Sequence, residues 1–168
     1  MVEAAMIAAL YIATTFFQEM LLKGSATMAV QFRVSELLCT LAVLTPAAIP
    51  GLTVGCFVAN FLVMGALPLD VLFGSFATLL AAICAYRLRE IKFFSVPVIS
   101  LFMPVIFNAV IVGLEIEIFF IEGDFKLLSF MTQASLVGLG EFVVCVLGGI
   151  PFYFAVKKLP VFSKKNNN

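Results

Sequence analysis

An arginine and a glutamate three residues apart, Arg33 and Glu36, stand in the stretch QFRVSELLCTLAVLTPAAIPG, Gln31 to Gly51, at the mouth of a long apolar run. Charges at the edge of such a run are costly unless they are paired or used. Their spacing allows an ion pair along one helical turn that holds the loop entrance. It equally allows a donor and an acceptor to be offered to a polar ligand. Other polar residues recur at helical intervals. Asn108 and Glu115 are seven apart, Gln133 and Glu141 are eight apart, and Asp70, Gly74 and Thr78 step by four. Each set shares one helix face. Asn60 stands in a further apolar run. Carboxylates converging from several helices could bind a cation or a hydrogen-bond donor, whereas Asn, Gln and Thr could instead bond neighbouring helices. Glu141 lies about 12 residues into its segment, about 18 Å at about 1.5 Å per residue. A carboxylate near the middle of a bilayer is a functional group by default.

Other chemistries are missing. The chain has no histidine, so the usual metal ligand and proton shuttle is absent. Its four cysteines, Cys39, Cys56, Cys84 and Cys145, have no C-x-x-C spacing and read as small buried hydrophobes. No phosphate-binding G-x-x-x-x-G-K-[ST] loop, G-x-S-x-G elbow or H-E-x-x-H motif occurs. No basic tract suits a nucleic acid, and no cofactor or metal is expected.

The elements that position these residues are set by hydropathy. The chain is 63% hydrophobic and 12% charged, with a mean hydropathy of +1.17. Soluble domains are about 25% charged, so bilayer is the expected solvent. The apolar runs divide at Gly, Pro and charge clusters into helices expected at 4–22, 34–48, 50–65, 69–87, 97–118 and 129–157, within a single domain, 1–168. The first run has neither a charged leader region nor a cleavage site and is expected to be retained. With both termini inside, the inner loop and tail carry Arg87, Arg89, Lys92, Lys157, Lys158, Lys164 and Lys165, and the outer side only Lys23, Arg33 and Lys126. Seven against three favours an all-α, six-helix membrane protein with N-in, C-in topology. Glu19, Glu36, Asp70, Glu115, Glu117, Glu122 and Asp124 then fall at the outer ends of the helices or in the outer loops. An acidic outer face favours a cationic or donor-rich ligand arriving from outside. For Glu117, Glu122 and Asp124 a solvated loop is the plainer reading.

Small residues form ladders at spacing four: Ala5, Ala9 and Ala13 on the first helix, with Ala4 and Ala8 beside them, and Gly51, Gly55 and Ala59 on the third. Such ladders let helices approach closely. Internal packing accounts for the third-helix ladder. The first helix could pack internally or serve a partner helix.

The segments AAMIAALYIATT, QFRVSELLCTLAVLTPAAIPGLTVGCFVANFL, LPLDVLFGSFATLLAA, VIFNAVIVGLEIE and VGLGEFVVCVLGGIP resemble the QueT family across nearly the whole chain. That family comprises predicted substrate-binding S-components of energy-coupling factor (ECF) transporters. The resemblance implies a six-helix S-component-like bundle in a bacterial cell membrane that captures a queuosine precursor, such as aminomethyl-deazaguanine. It implies docking on a membrane scaffold protein and two cytoplasmic ATPase subunits. It also turns Ala5, Ala9 and Ala13 towards the scaffold. A deazaguanine presents an N–H and an amino group side by side, which one carboxylate can accept together. Glu36 or Glu141 is expected to read that edge, Arg33 or Asn108 to donate to the carbonyl, and Glu115 or Asp70 to meet the ammonium. Asn60 completes the expected set. Phe32 is a candidate to stack on the ring, or simply to face lipid. Loop 1, Lys23 to Val30, is a candidate lid. The rival readings are a proton- or sodium-coupled secondary transporter of a purine-like or cationic molecule, an intramembrane enzyme, and an accessory subunit without a ligand.

Overall fold

The computed structural model describes residues 1–22, 32–63 and 68–159. The candidate lid at Lys23–Val30, the basic residues Lys164 and Lys165, and the expected helix end at 64–65 lie outside the described residues. The described chain is helical almost throughout. It runs from α1 (Val2–Leu21) through a ten-residue 3-10 helix (Val34–Val43) to α2 (Ala48–Val58), which widens into a π turn at Ala59–Val63. Next come α3 (Pro68–Arg87) and α4 (Val98–Glu115), with a second π turn at Ile116–Phe120. Last, α5 (Leu127–Glu141) passes through a π stretch, Phe142–Gly148, into α6 (Gly149–Lys157).

Four of these runs are long and apolar enough to cross a membrane: Val2–Leu21, Pro68–Arg87, Val98–Phe120 and Leu127–Lys157. Two apolar helices, Val34–Val43 and Ala48–Leu62, are shorter. Where the hydropathy pattern suggests one helix over 34–48, the structure has a 3-10 helix that stops at Val43. The reason is local. Pro46 has no N–H to continue a ladder and disfavours helical geometry at Thr45. The Thr45 hydroxyl accepts the Ala47 N–H at 3.3 Å, which closes the turn. A 3-10 helix rises about 2.0 Å per residue, so this segment reaches about 20 Å, further than an α-helix of the same length.

Side-chain contacts give the relative directions. Gly51 approaches Ala4 and Ile7, and Gly55 approaches Ala8 and Tyr11, so α1 and α2 run parallel. A Cβ on Gly55 would lie 2.7 Å from the Cβ of Tyr11, so this contact needs glycine. Gly113 meets Ala134 and Gly138 meets Ala109, so α4 and α5 run antiparallel. Glu36 meets Thr78, and Gly149 lies beside Thr40, so the 3-10 helix runs with α3 and α6. The 3-10 helix is thereby enclosed by α1, α3 and the α5–α6 rod. Its inner half, with Leu38, Leu41 and Ala42, joins Ile7, Leu52, Ala82 and Val156 in the apolar core. Glu36, Asp70 and Glu115 sit towards one end of the bundle, and Arg87, Arg89, Lys92 and Lys157 at the other.

Candidate functional site

The 3-10 helix carries Arg33 and Glu36 into the bundle. Arg33 is its extended N-cap residue, at φ −103°, ψ 95°. Gln18 of α1 fixes this entrance: its side-chain amide donates to the Phe32 carbonyl, and its oxygen accepts the Val34 N–H at 2.8 Å. Glu36 follows one turn in and is 1% exposed. One carboxylate oxygen accepts the Tyr11 hydroxyl and, at 3.4 Å, the Thr78 hydroxyl. The other accepts the Cys39 thiol at 3.0 Å.

Glu141 approaches from α5 and is 2% exposed. The Cys145 thiol, one turn on, lies 3.3 Å from its carboxylate and 3.5 Å from the Glu36 carbonyl, linking the two acids. The Asn108 side chain of α4 also faces Glu141. On the remaining side, a Cβ added at Gly74 would lie 3.0 Å from the Asn60 amide nitrogen and 3.7 Å from a terminal nitrogen of Arg33. The missing side chain at Gly74 therefore eases the close approach of Asn60, while Arg33 would be in ordinary contact. Arg33 lies near enough to Glu36 and Glu141 to feel their charge, and Glu115 feels both Arg33 and Asp70. Arg33, Glu36, Asn60, Asp70, Asn108, Glu115 and Glu141 thus gather towards one end of the bundle, with the guanidinium near Glu36, Glu141 and Glu115.

The helical irregularities coincide with this network. Asn60 lies in the first π turn, Glu117 lies in the second, and the third begins directly after Glu141 and contains Cys145. A π turn re-aims side chains within a helix and frequently marks a functional site.

Three buried polar atoms at this end have no partner: Nε of Arg33, one oxygen of Glu115 and one oxygen of Glu117. The described ion pairs are Arg89–Glu90 and Lys92–Glu90, and Arg33 and Glu36 form none. The ion pair that their spacing allows is thus absent, and the arginine keeps an unused donor. Glu117 is buried, and its other oxygen accepts the Lys126 N–H at 3.0 Å. Its expected solvated position is corrected: the return of the chain into α5 covers it. Glu122 and Asp124 are exposed, Gln133 is half-buried, and Phe32 is 41% exposed.

Sequence reasoning missed Tyr11, Cys39 and Cys145 as members of the network. A tyrosine in an apolar helix was the available signal, because a buried hydroxyl needs a partner. The thiols gave no such signal, since free cysteine is ordinarily a small hydrophobe. Among the described residues, no cluster could hold a metal ion.

The two alanine series on α1 separate. Ala4 and Ala8 face Gly51 and Gly55. Ala5 and Ala9 are exposed and Ala13 is half-buried. Met6, Leu10, Phe16 and Phe17 extend that exposed apolar face.

The family model for QueT transporters matches residues 1–158 of the 168. No curated protein and no solved structure matches the chain. The chain belongs to the QueT transporter family and is a multi-pass membrane protein.

Proposed function

With membership of a transporter family as premise, we propose that this chain is the substrate-binding S-component of an ECF-type ATP-driven importer. In this reading it crosses the membrane six times with both termini inside. It captures a queuosine precursor, a deazaguanine such as aminomethyl-deazaguanine, from outside. The observation that carries the reading is the cluster of three buried acids, Glu36, Glu115 and Glu141, in the electrostatic neighbourhood of Arg33, with Asp70 beside Glu115, while Arg33 and Glu115 keep unpaired atoms. Buried polar atoms without partners are rare and costly, and a ligand with complementary groups would satisfy them.

The residues divide the recognition among themselves. Both oxygens of Glu36 are engaged by Tyr11, Thr78 and Cys39, so Glu36 positions the network. Glu141 is the carboxylate that accepts the paired N–H groups of the base, with Asn108 and Cys145 orienting it. The free Nε–H of Arg33 donates to the base carbonyl, with Asn60 alongside. Asp70 and Glu115 receive the cationic aminomethyl group. The stripe of Ala5 and Ala9, exposed, and Ala13, half-buried, docks on the membrane scaffold protein, which couples the chain to two cytoplasmic ATPases.

Mass spectrometry of small molecules carried through purification tests the substrate, with a deazaguanine expected. Glu141→Gln should weaken binding of that compound about tenfold or more, because charge-assisted hydrogen bonds contribute about 1.5–3 kcal/mol. Unchanged affinity would remove Glu141 from the site. Ala9→Leu combined with Ala13→Leu should leave binding intact and abolish uptake; full uptake would end the docking assignment. Uptake that follows an ion gradient and ignores the ATPases would favour a secondary transporter.

A further inference from the structure

The end of the bundle away from the acidic network holds a cavity of about 590 Å³. Arg89, Lys92 and Lys157 line it, together with Glu90, Tyr86 and Tyr153. Three cations thus face one acid. Glu90 pairs with Arg89 at 3.2 Å and with Lys92 at 4.0 Å. Lys157 has no acidic partner among the described residues; its ammonium lies 5.5 Å from the centre of the Tyr153 ring. The Arg89 guanidinium stacks over the Tyr86 ring at 3.9 Å. A pocket that keeps positive charge in excess and arranges it over aromatic walls suits an anion.

Its position selects the kind of anion. The remaining wall is the apolar end of the 3-10 helix, Val43 and Leu44 with Pro46. One residue beyond Lys92 the chain makes a tight turn closed by the Phe93–Val96 bridge. Phe94 and Ser95 there adopt positive φ, 48° and 68°, which is uncommon away from glycine. The turn holds Phe94 fully in the open, at 101% exposure, with Ile91 and Phe93 also exposed. An apolar shelf beside a basic cavity, at the level where helices leave the bilayer, matches the two halves of a phospholipid. The phosphate meets the cations, and the glycerol and acyl chains lie along the shelf.

We propose that this cavity binds the phosphate of an anionic phospholipid of the inner leaflet. The site rests on the chain's place in the membrane and not on the identity of its substrate. The lipid phosphate lies between Arg89, Lys92 and Lys157, and Phe94 enters the acyl boundary. Occupancy ties the α3–α4 turn to the end of α6.

The test uses the full chain in nanodiscs of mixed phosphatidylglycerol and phosphatidylcholine, released and read by native mass spectrometry. Phosphatidylglycerol should be retained in preference to phosphatidylcholine. Arg89→Gln and Lys157→Gln should each lower that retention about fivefold. Arg87→Gln, an exposed charge at the same end that does not line the cavity, should leave it unchanged. An equal loss in Arg87→Gln would reduce the effect to a general basic rim and overturn the site. Displacement of the lipid by millimolar inorganic phosphate would make the occupant a free phosphate and overturn the lipid assignment. Absence of any lipid preference in the wild-type chain would overturn it outright. If Arg89→Gln and Lys157→Gln then also abolished uptake, the cavity would belong to a cytoplasmic partner.

Discussion

The buried acidic cluster and the basic cavity at the other end of this bundle are opposite in charge and opposite in burial. Inside one end an arginine, Arg33, lies near Glu36, Glu115 and Glu141, all three buried, with Asp70 beside Glu115. At the other end one acid, Glu90, lines an open cavity with Arg89, Lys92 and Lys157. An excess of charge at a solvated rim costs little, because water and salt screen it. The same excess inside a bundle of apolar helices is expensive unless every group is held by hydrogen bonds or a counter-charge. The buried network accordingly recruits donors of every kind, down to two thiols, and still leaves atoms of Arg33 and Glu115 unpaired. The basic end shows no such effort. One end is built to hold a composition of charge, and the other only presents one.

The sharpest way to break this contrast is to make the same substitution at both ends. Arg33→Gln removes the guanidinium and leaves buried carboxylates without their nearby cation. Because no ion pair among the described residues closes on Arg33, the cost should stay below the about 3–5 kcal/mol of a broken buried pair but above that of an exposed charge, read as a clear fall in the thermal midpoint of the detergent-solubilised chain. A variant as stable as the wild type would mean that the acids do not depend on Arg33. The next largest effect tests the network's donors. Tyr11→Phe removes the hydroxyl that donates to Glu36 and keeps the ring that packs beside Gly55. A charge-assisted hydrogen bond of this kind contributes about 1.5–3 kcal/mol, so the midpoint should fall measurably, but less than for Arg33→Gln. An unshifted midpoint would leave Glu36 adequately held by Cys39 and Thr78 alone.

The acidic end was legible in the sequence to the extent that helical periodicity governs it. Asn108 with Glu115, and Asp70 with Gly74, share faces because α4 and α3 are regular where those residues lie. The close approach of α1 and α2 follows from Gly51 and Gly55 in the same way. The 3-10 geometry of Val34–Val43 was not legible, because its apolar pattern suits an α-helix equally well and Pro46 decides only where it stops. Glu117 was misplaced for a related reason: its burial depends on how the chain returns to α5 and offers the Lys126 N–H, a tertiary matter with no local signature. The thiol contacts of Cys39 and Cys145 belong to the same class. The basic end was legible as charge, through the uneven distribution of Lys and Arg. Its cavity was not, since it needs the ends of three segments far apart in sequence.

The smallest expected effect is the one that secures the comparison. Arg89→Gln deletes a guanidinium as Arg33→Gln does, and the residue has more visible contacts than Arg33: the Glu90 ion pair at 3.2 Å, the Tyr86 ring at 3.9 Å and the Tyr86 carbonyl at 2.9 Å. Counting contacts would rank it as the more costly loss. Its environment ranks it the other way. Exposed ion pairs contribute about 0–1 kcal/mol, an exposed cation–ring contact about 0.5–1 kcal/mol, and water replaces the donor to a carbonyl at the rim. The midpoint should therefore move by little, and the remaining shift should shrink further as salt is raised, because the Glu90 pair is screened. A loss comparable to that of Arg33→Gln, insensitive to salt, would show that the basic end is as tightly interlocked as the acidic one, and the distinction between a buried network and a presented charge would fail.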